Sequence, residues 1–222
     1  MTTTTPPGVD PAEALQRLRE GNARFVAHVR SAETLARQLL RAELAHGQQP
    51  FAVMLGCADS RVPAELVFDQ GLGDLFVIRV AGNIVAPSQI GSVEFAVERF
   101  GTQLVVVLGH TFCGAVDAAL DAVLGGGSAP VSSNLNSIVN RIRPALEGWV
   151  PREAERGKAA LMRDAVRANV RASAHQLRHG SQLLESRVLS GRLSIVGAEY
   201  DLATGRVDFF EGVPAAADAP RG

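Results

Sequence analysis

Cysteine occurs twice in this chain, and each cysteine belongs to a short motif rich in metal-ligand and proton-transfer residues. The motifs are Cys57-Ala58-Asp59-Ser60-Arg61 and His110-Thr111-Phe112-Cys113-Gly114. Two thiolates and an imidazole suit a borderline-soft ion such as zinc. His110 and Cys113 are three residues apart, so one tight turn can aim both at the same ion. Three protein ligands leave the fourth tetrahedral position open, which is the pattern of a catalytic rather than a structural site. Asp59 then has two options. It can fill the fourth position as a further metal ligand, or it can pair with the guanidinium fork of Arg61 and leave that position to water. In the second case its carboxylate can accept a hydrogen bond from a zinc-activated water and orient it toward an electrophile.

Each residue also has an ordinary explanation. A buried cysteine is most often a small core residue, a histidine beside a strand a satisfied polar group, and Asp-Ser-Arg a turn. These explanations weaken together, because both cysteines and the histidine fall just after apolar runs of the same kind. A redox cysteine pair is the main competitor. It leaves His110, Asp59 and Arg61 without a role, and a disulfide is disfavoured in a reducing cytosol.

The elements that must position these motifs follow from hydrophobic periodicity. Phe51 to Gly56, Leu75 to Val80 and Gln103 to Gly109 are short apolar runs that read as buried parallel strands. The two motifs therefore sit past the carboxyl ends of strands, the edge where open α/β sheets bind ligands. Helices are expected from Asp10-Pro11 onward, over 32–45, over Gln89 to Phe100, over Cys113 to Leu124, in pieces near 138–146, and as one long helix over 158–189. Two last strands are expected at 193–202 and 207–211, joined by a turn at Thr204-Gly205. The fold class is α/β: a mostly parallel central sheet flanked by helices, with an N-terminal helical arm. A single domain is expected over 10–212, between a disordered tail at 1–9 and a flexible tail at 213–222. The arm has little of its own to pack on, which suggests reaching over a partner subunit.

Composition narrows the function classes. The 222 residues are 46% hydrophobic and 20% charged, with a formal net charge of −1. That balance argues against nucleic acid or an anionic membrane as a partner. The basic cluster from Arg163 to Arg178 reads as the solvated face of a helix. No apolar run approaches the ~20 residues of a membrane span, and the N-terminal residues lack the pattern of a secretory signal. A cytoplasmic location is the expectation.

The paired signatures Cys-x-Asp-Ser-Arg at 57–61 and His-x-x-Cys-Gly at 110–114 resemble those of the β-class carbonic anhydrases. Glu20-Gly21-Asn22-x-Arg24-Phe25, Phe76-Val77-x-Arg79, Ala81-Gly82-Asn83, Gly91 to Val97 and Gly197 to Leu202 are similar to the family in style. The resemblance runs from about residue 10 to about residue 212. It implies a four-stranded parallel sheet with an added edge strand, in a homodimer or dimer of dimers whose N-terminal helices embrace the partner. It implies one zinc per chain on Cys57, His110 and Cys113, with Asp59 and Arg61 as the catalytic dyad, hydrating carbon dioxide to bicarbonate and a proton. In some members the aspartate swaps onto the metal at low pH. Members without that closure carry a glutamine nine residues before the first cysteine, here Gln48, which would donate to a substrate oxygen. Members with regulatory bicarbonate binding often carry a tryptophan where this chain has Met54. Arg79 and Tyr200 match residues that can help form that bicarbonate pocket. Phe76, Phe95 and Gly114 would line a small substrate pocket, Phe95 standing where members often have tyrosine.

Two alternatives stay open at this level. The same metal and fold could attack carbon disulfide or carbonyl sulfide, or the chain could bind zinc or act as a redox protein without catalysis. His28, His46, His175 and His179 are proton-shuttle candidates by residue type alone. Charge makes one prediction. Two thiolates and a neutral histidine cancel the zinc charge, so its water is less acidic than at a site of three neutral histidines, and activity is expected to rise toward alkaline pH. A hydration rate that stays flat through the neutral range would contradict this.

Overall fold

A computed structural model describes residues 8–32, 34, 44–125 and 132–214. The expected helix over 32–45 and the two expected tails lie largely outside the described residues. Asp10 caps helix α1 (Pro11–Val26), its carboxylate accepting from the Ala12 and Glu13 amides, with Pro11 in the first turn. Strands β1 (Ala52–Gly56), β2 (Leu75–Arg79), β3 (Leu104–His110), β4 (Ser194–Tyr200) and β5 (Val207–Glu211) form one sheet in the order β2-β1-β3-β4-β5. The first four are parallel, and β5 adds antiparallel to β4 at the edge.

The central strands are buried on both faces, so their side chains feed two cores by simple alternation. Met54, Leu104, Val106 and Leu108 join Leu15 and Leu18 of α1 on one face. Val53, Leu55, Val105 and Val107 join the helices of the other face. These are α3 (Pro87–Phe100), α7 (Lys158–His179) and α8 (Gln182–Leu189). Helix α1 thus buries its apolar stripe on its own sheet, which corrects the expectation that it has little to pack on. Asn22 ties it down, donating to Val67 O and Gly205 O and accepting from Val207 N.

Helix α2 (Ala64–Val67) follows the first motif, and α4 (Gly114–Leu124) follows the second. Cys113 is the cap of α4 rather than its first residue. Helices α5 (Ser133–Ile142) and α6 (Pro144–Glu147) cover α4. The Ser132 hydroxyl caps α5 several residues before the expected start. The long helix expected over 158–189 is two helices. Gly180 and Ser181 interrupt it, and the Ser181 hydroxyl accepts from Leu184 N to start α8.

Helix α7 runs antiparallel to the strands. Val166 and Val170 sit against Gly109 at the end of β3, where an added Cβ would meet Val170 Cγ2 at 2.5 Å. Arg178, near the other end of α7, donates to Ile195 O at the start of β4. The arginine-rich face is not wholly solvated, because Arg167 reaches the buried Glu199 at 2.7 Å. Among the described residues no helix is long and apolar enough to cross a membrane.

Candidate metal centre

Parallel pairing of β1 and β3 brings their carboxyl ends side by side, and Cys57 and His110 stand at those ends. The Phe112 backbone adopts a positive φ of 57°. That turn folds Cys113 back to the start of α4. Cys57, His110 and Cys113 are buried, and their ligand atoms all lie within 4.8 Å of one another. The two sulfurs are 3.9 Å apart. That is far from the ~2.05 Å of a disulfide bond. It is close to the ~3.8 Å that two zinc–sulfur bonds of about 2.3 Å span at a tetrahedral angle.

His110 supplies the clearest sign that an ion belongs here. It is 0% exposed, and its Nε2 has no hydrogen-bond partner. A buried polar atom without a partner is costly. Its other nitrogen, Nδ1, lies 2.9 Å from Thr111 O. That bond places the proton on Nδ1 and leaves the Nε2 lone pair for a metal, the arrangement typical of ligating histidines. The residues present therefore fit a divalent ion.

The contact between the sulfurs couples their ionisation. The Cys57 thiol is pulled down to about 4, chiefly by the Cys113 thiol and despite burial, with help from His110 and the backbone amides of Asp59 and Gly82. Cys113 is pushed up by the same Cys57 contact and by burial. A metal ion held by the two sulfurs would favour both as thiolates.

Asp59 lies beside this cluster and is held by Arg61. Arg61 Nε donates to Oδ1 at 2.9 Å, Arg61 Nη2 to Oδ2 at 2.7 Å, and the Arg61 amide to Oδ1 at 3.0 Å. Asp59 Oδ2 remains 3.9 Å from His110 Nε2. Gly114 opens α4 next to Cys113, with open space where a side chain would stand.

The contacts of three residues were not assigned from sequence. Gly82 N–H donates to Cys57 Sγ at 3.3 Å, in a turn where Gly82 has φ 69° and an added Cβ would meet Ile142 Cδ1 at 2.8 Å. Arg79 donates to Cys57 O at 3.0 Å and to Asp59 O at 2.5 Å, clamping the loop that carries both residues. Thr111 orients His110 through its carbonyl. The Ala-Gly-Asn turn and Arg79 were noticed in the sequence, but nothing local shows that they reach residue 57. Tyr200 is buried against Phe25, with ring centroids 6.4 Å apart.

The chain does not bring Gln48, Phe76 and Phe95 to this cluster. Phe76 pairs with Val53, three residue steps and roughly 10 Å down the strand from Arg79. Phe76 and Phe95 form an aromatic group with Phe100, centroids 5.7 to 6.2 Å apart, and Phe95 is 54% exposed. Gln48 lines a hollow of about 670 Å³ with Leu72, Arg99 and the same Phe100. The three residues gather at a second place on the surface.

Solved structures of β-carbonic anhydrases share this fold. A Coccomyxa β-carbonic anhydrase in complex with acetazolamide matches with a TM-score of 0.69 at 25% identity, covering 88% of this chain and 86% of that one. A tetrameric β-carbonic anhydrase from Sordaria macrospora shares the fold, with a TM-score of 0.69 at 20% identity over 89% of this chain and 97% of its own. Curated relatives are more similar in sequence. Carbonic anhydrase 2 of Mycobacterium tuberculosis is 40% identical over 90% of this chain and 93% of its own length. Carbonic anhydrase of Mycolicibacterium smegmatis is 42% identical over 91% and 94%. The sequence profile of the family described as carbonic anhydrase matches residues 52–207. The chain belongs to the β-class carbonic anhydrase family, zinc enzymes that hydrate carbon dioxide.

The Asp59 carboxyl is held well below the usual carboxylate range, first by the Arg61 side-chain hydrogen bonds and then, against burial, by the Arg61 amide. A carboxyl depressed in the folded state contributes stability that is present above its unfolded value near 3.8 and lost as pH falls through its folded value. The Arg61 side chain is 53% exposed, so that contribution is modest. In reduced, chelator-treated protein, the unfolding free energies of wild type and Asp59→Asn are expected to differ by a constant amount from about pH 8 to about pH 5 and to converge below about pH 4. A gap in urea unfolding that widens toward acid pH would count against the pairing.

Proposed function

We propose that this chain converts carbon dioxide and water to bicarbonate and a proton with one zinc ion held by Cys57, His110 and Cys113, and that Asp59 and Arg61 act as a positioning dyad. When bound, the ion would acidify a water molecule and make it nucleophilic near neutral pH. Asp59 takes the part of acceptor. Its charge is fixed by Arg61, so it stays ionised across the working pH range. Arg61 donates twice to Oδ1 and once to Oδ2, so Oδ2, the oxygen 3.9 Å from His110 Nε2, keeps a lone pair that can hold the proton of the attacking water. The water then turns a lone pair toward the carbon of carbon dioxide. The Arg79 clamp on Cys57 O and Asp59 O keeps that acceptor in register with the ligand loop.

The observation that carries this reading is the two-pronged Asp59–Arg61 contact beside an unpartnered His110 Nε2. It supports an acceptor poised next to the metal position rather than a fourth ligand closing it. A reducing compartment such as the cytoplasm would keep both thiols available, and we infer that location.

We also infer that a second copy of the chain completes the substrate pocket. The Gln48, Phe76 and Phe95 group is apart from the metal cluster of its own chain. If these residues line the pocket, as the family resemblance implies, they must come from a neighbour. The half-exposed Phe95 on a ring cluster favours burial against another subunit. Assembly as a homodimer or dimer of dimers agrees with the tetrameric Sordaria macrospora relative in fold.

Stopped-flow hydration on zinc-quantified protein at mildly alkaline pH tests the main reading. The rate is expected to scale with bound zinc, and Asp59→Asn to lower kcat/KM by about 10²-fold or more with zinc retained. Full zinc with no hydration at any pH would overturn it. The assembly is tested by sedimentation. Phe95→Glu is expected to shift the protein toward monomer and to lower activity together, and an active monomer would refute the shared pocket.

A further inference from the structure

We propose that His175 and His179 form a second, surface zinc site on α7, remote from the catalytic cluster. The two histidines are one helical turn apart, so they project from the same face. Their ring centroids are 4.5 Å apart with the planes tilted by 49°, close enough for one ion to bridge two ring nitrogens. Two histidines at this spacing on a helix are a known chelating pair for zinc. His179 Nδ1 lies 2.9 Å from Glu185 Oε1 of α8. That carboxylate accepts the Nδ1 proton and leaves Nε2 free for a metal. The break at Gly180 and Ser181 that separates α7 from α8 is what turns Glu185 back onto His179.

The surroundings favour a cation. His179 is the last residue of α7, where the carbonyl end of the helix dipole attracts positive charge. The basic residues of the same helix are turned elsewhere. Arg171, one turn before His175, and Arg178 both reach Glu211, at 3.6 and 3.5 Å. Both histidines are exposed, so an ion would bind from solvent and keep waters in its other positions. The direction of α7 sets the site apart from the catalytic one. Its C-terminal turn lies at the strand starts, near Ile195, whereas Cys57, His110 and Cys113 lie at the strand ends. With two protein ligands instead of three, it should bind more weakly than the buried cluster.

Calorimetric titration with zinc chloride, on protein already loaded with its catalytic ion and in a non-chelating buffer, tests the proposal. One further ion per chain is expected. His175→Ala and His179→Ala should each abolish that second event, while catalytic zinc content stays unchanged. Glu185→Gln should weaken it by about tenfold. His46→Ala, removing an exposed histidine elsewhere, should leave it intact. No second event in the loaded protein, or a second event that survives both histidine variants, would overturn the site. An unchanged affinity in Glu185→Gln would remove Glu185 from it.

Discussion

Two buried sulfurs 3.9 Å apart cannot both carry charge unless a cation lies between them. Bringing two thiolates out of water into contact costs several kcal/mol per ion without compensation. Their contact pulls the Cys57 thiol down and pushes the Cys113 thiol up, so the two do not ionise independently. His110 meets a parallel cost, an unpartnered Nε2 in a fully buried ring. Both features mark a place suited to a positive ion. The sheet edge, the Phe112 turn and the start of α4 all serve to hold those three atoms in place against that cost.

Around this cluster, backbone groups outnumber side chains as supports. The Gly82 amide points at Cys57 Sγ, and the Thr111 carbonyl takes the His110 Nδ1 proton. Arg79 holds the carbonyls of Cys57 and Asp59. These contacts join β2, β1 and β3 at one end of the sheet. Asp59 is thereby presented to Arg61 in a fixed orientation, with its carboxylate beside the metal position. The site is precise because its supports belong to strands whose register is set by buried alternation on both faces. A single-residue slip would reverse every ligand.

The metal cluster and the ring group of Phe76, Phe95 and Phe100 occupy different levels of the same sheet. The parallel register makes this unavoidable, since Phe76 is paired with Val53 and Arg79 with Gly56. Within one chain the two groups therefore stand apart. The surface pair His175 and His179 lies apart from the metal cluster, because α7 runs along the sheet and ends near the strand starts.

The ligand set was legible in the sequence because donor chemistry is a property of residue type and short spacing. Cys57, His110, Cys113 and the Asp59–Arg61 fork needed only their neighbours to be recognised, and the apolar runs before them marked the strands. The α1 cap at Asp10 and the turn at Thr204-Gly205 were local in the same way. What lay beyond the sequence was contact over distance. Arg79 is 22 residues from the carbonyl it clamps, and nothing in its own surroundings points there. Arg167 lay within a helix face that looked solvated, yet it pairs with Glu199 of β4. The helix break at Gly180-Ser181 was outweighed by helical periodicity on either side, and only packing of α8 beside α7 made it visible. Residue type and local period specify which atoms can act. Sheet register and helix packing, which couple distant residues, decide which of those atoms meet.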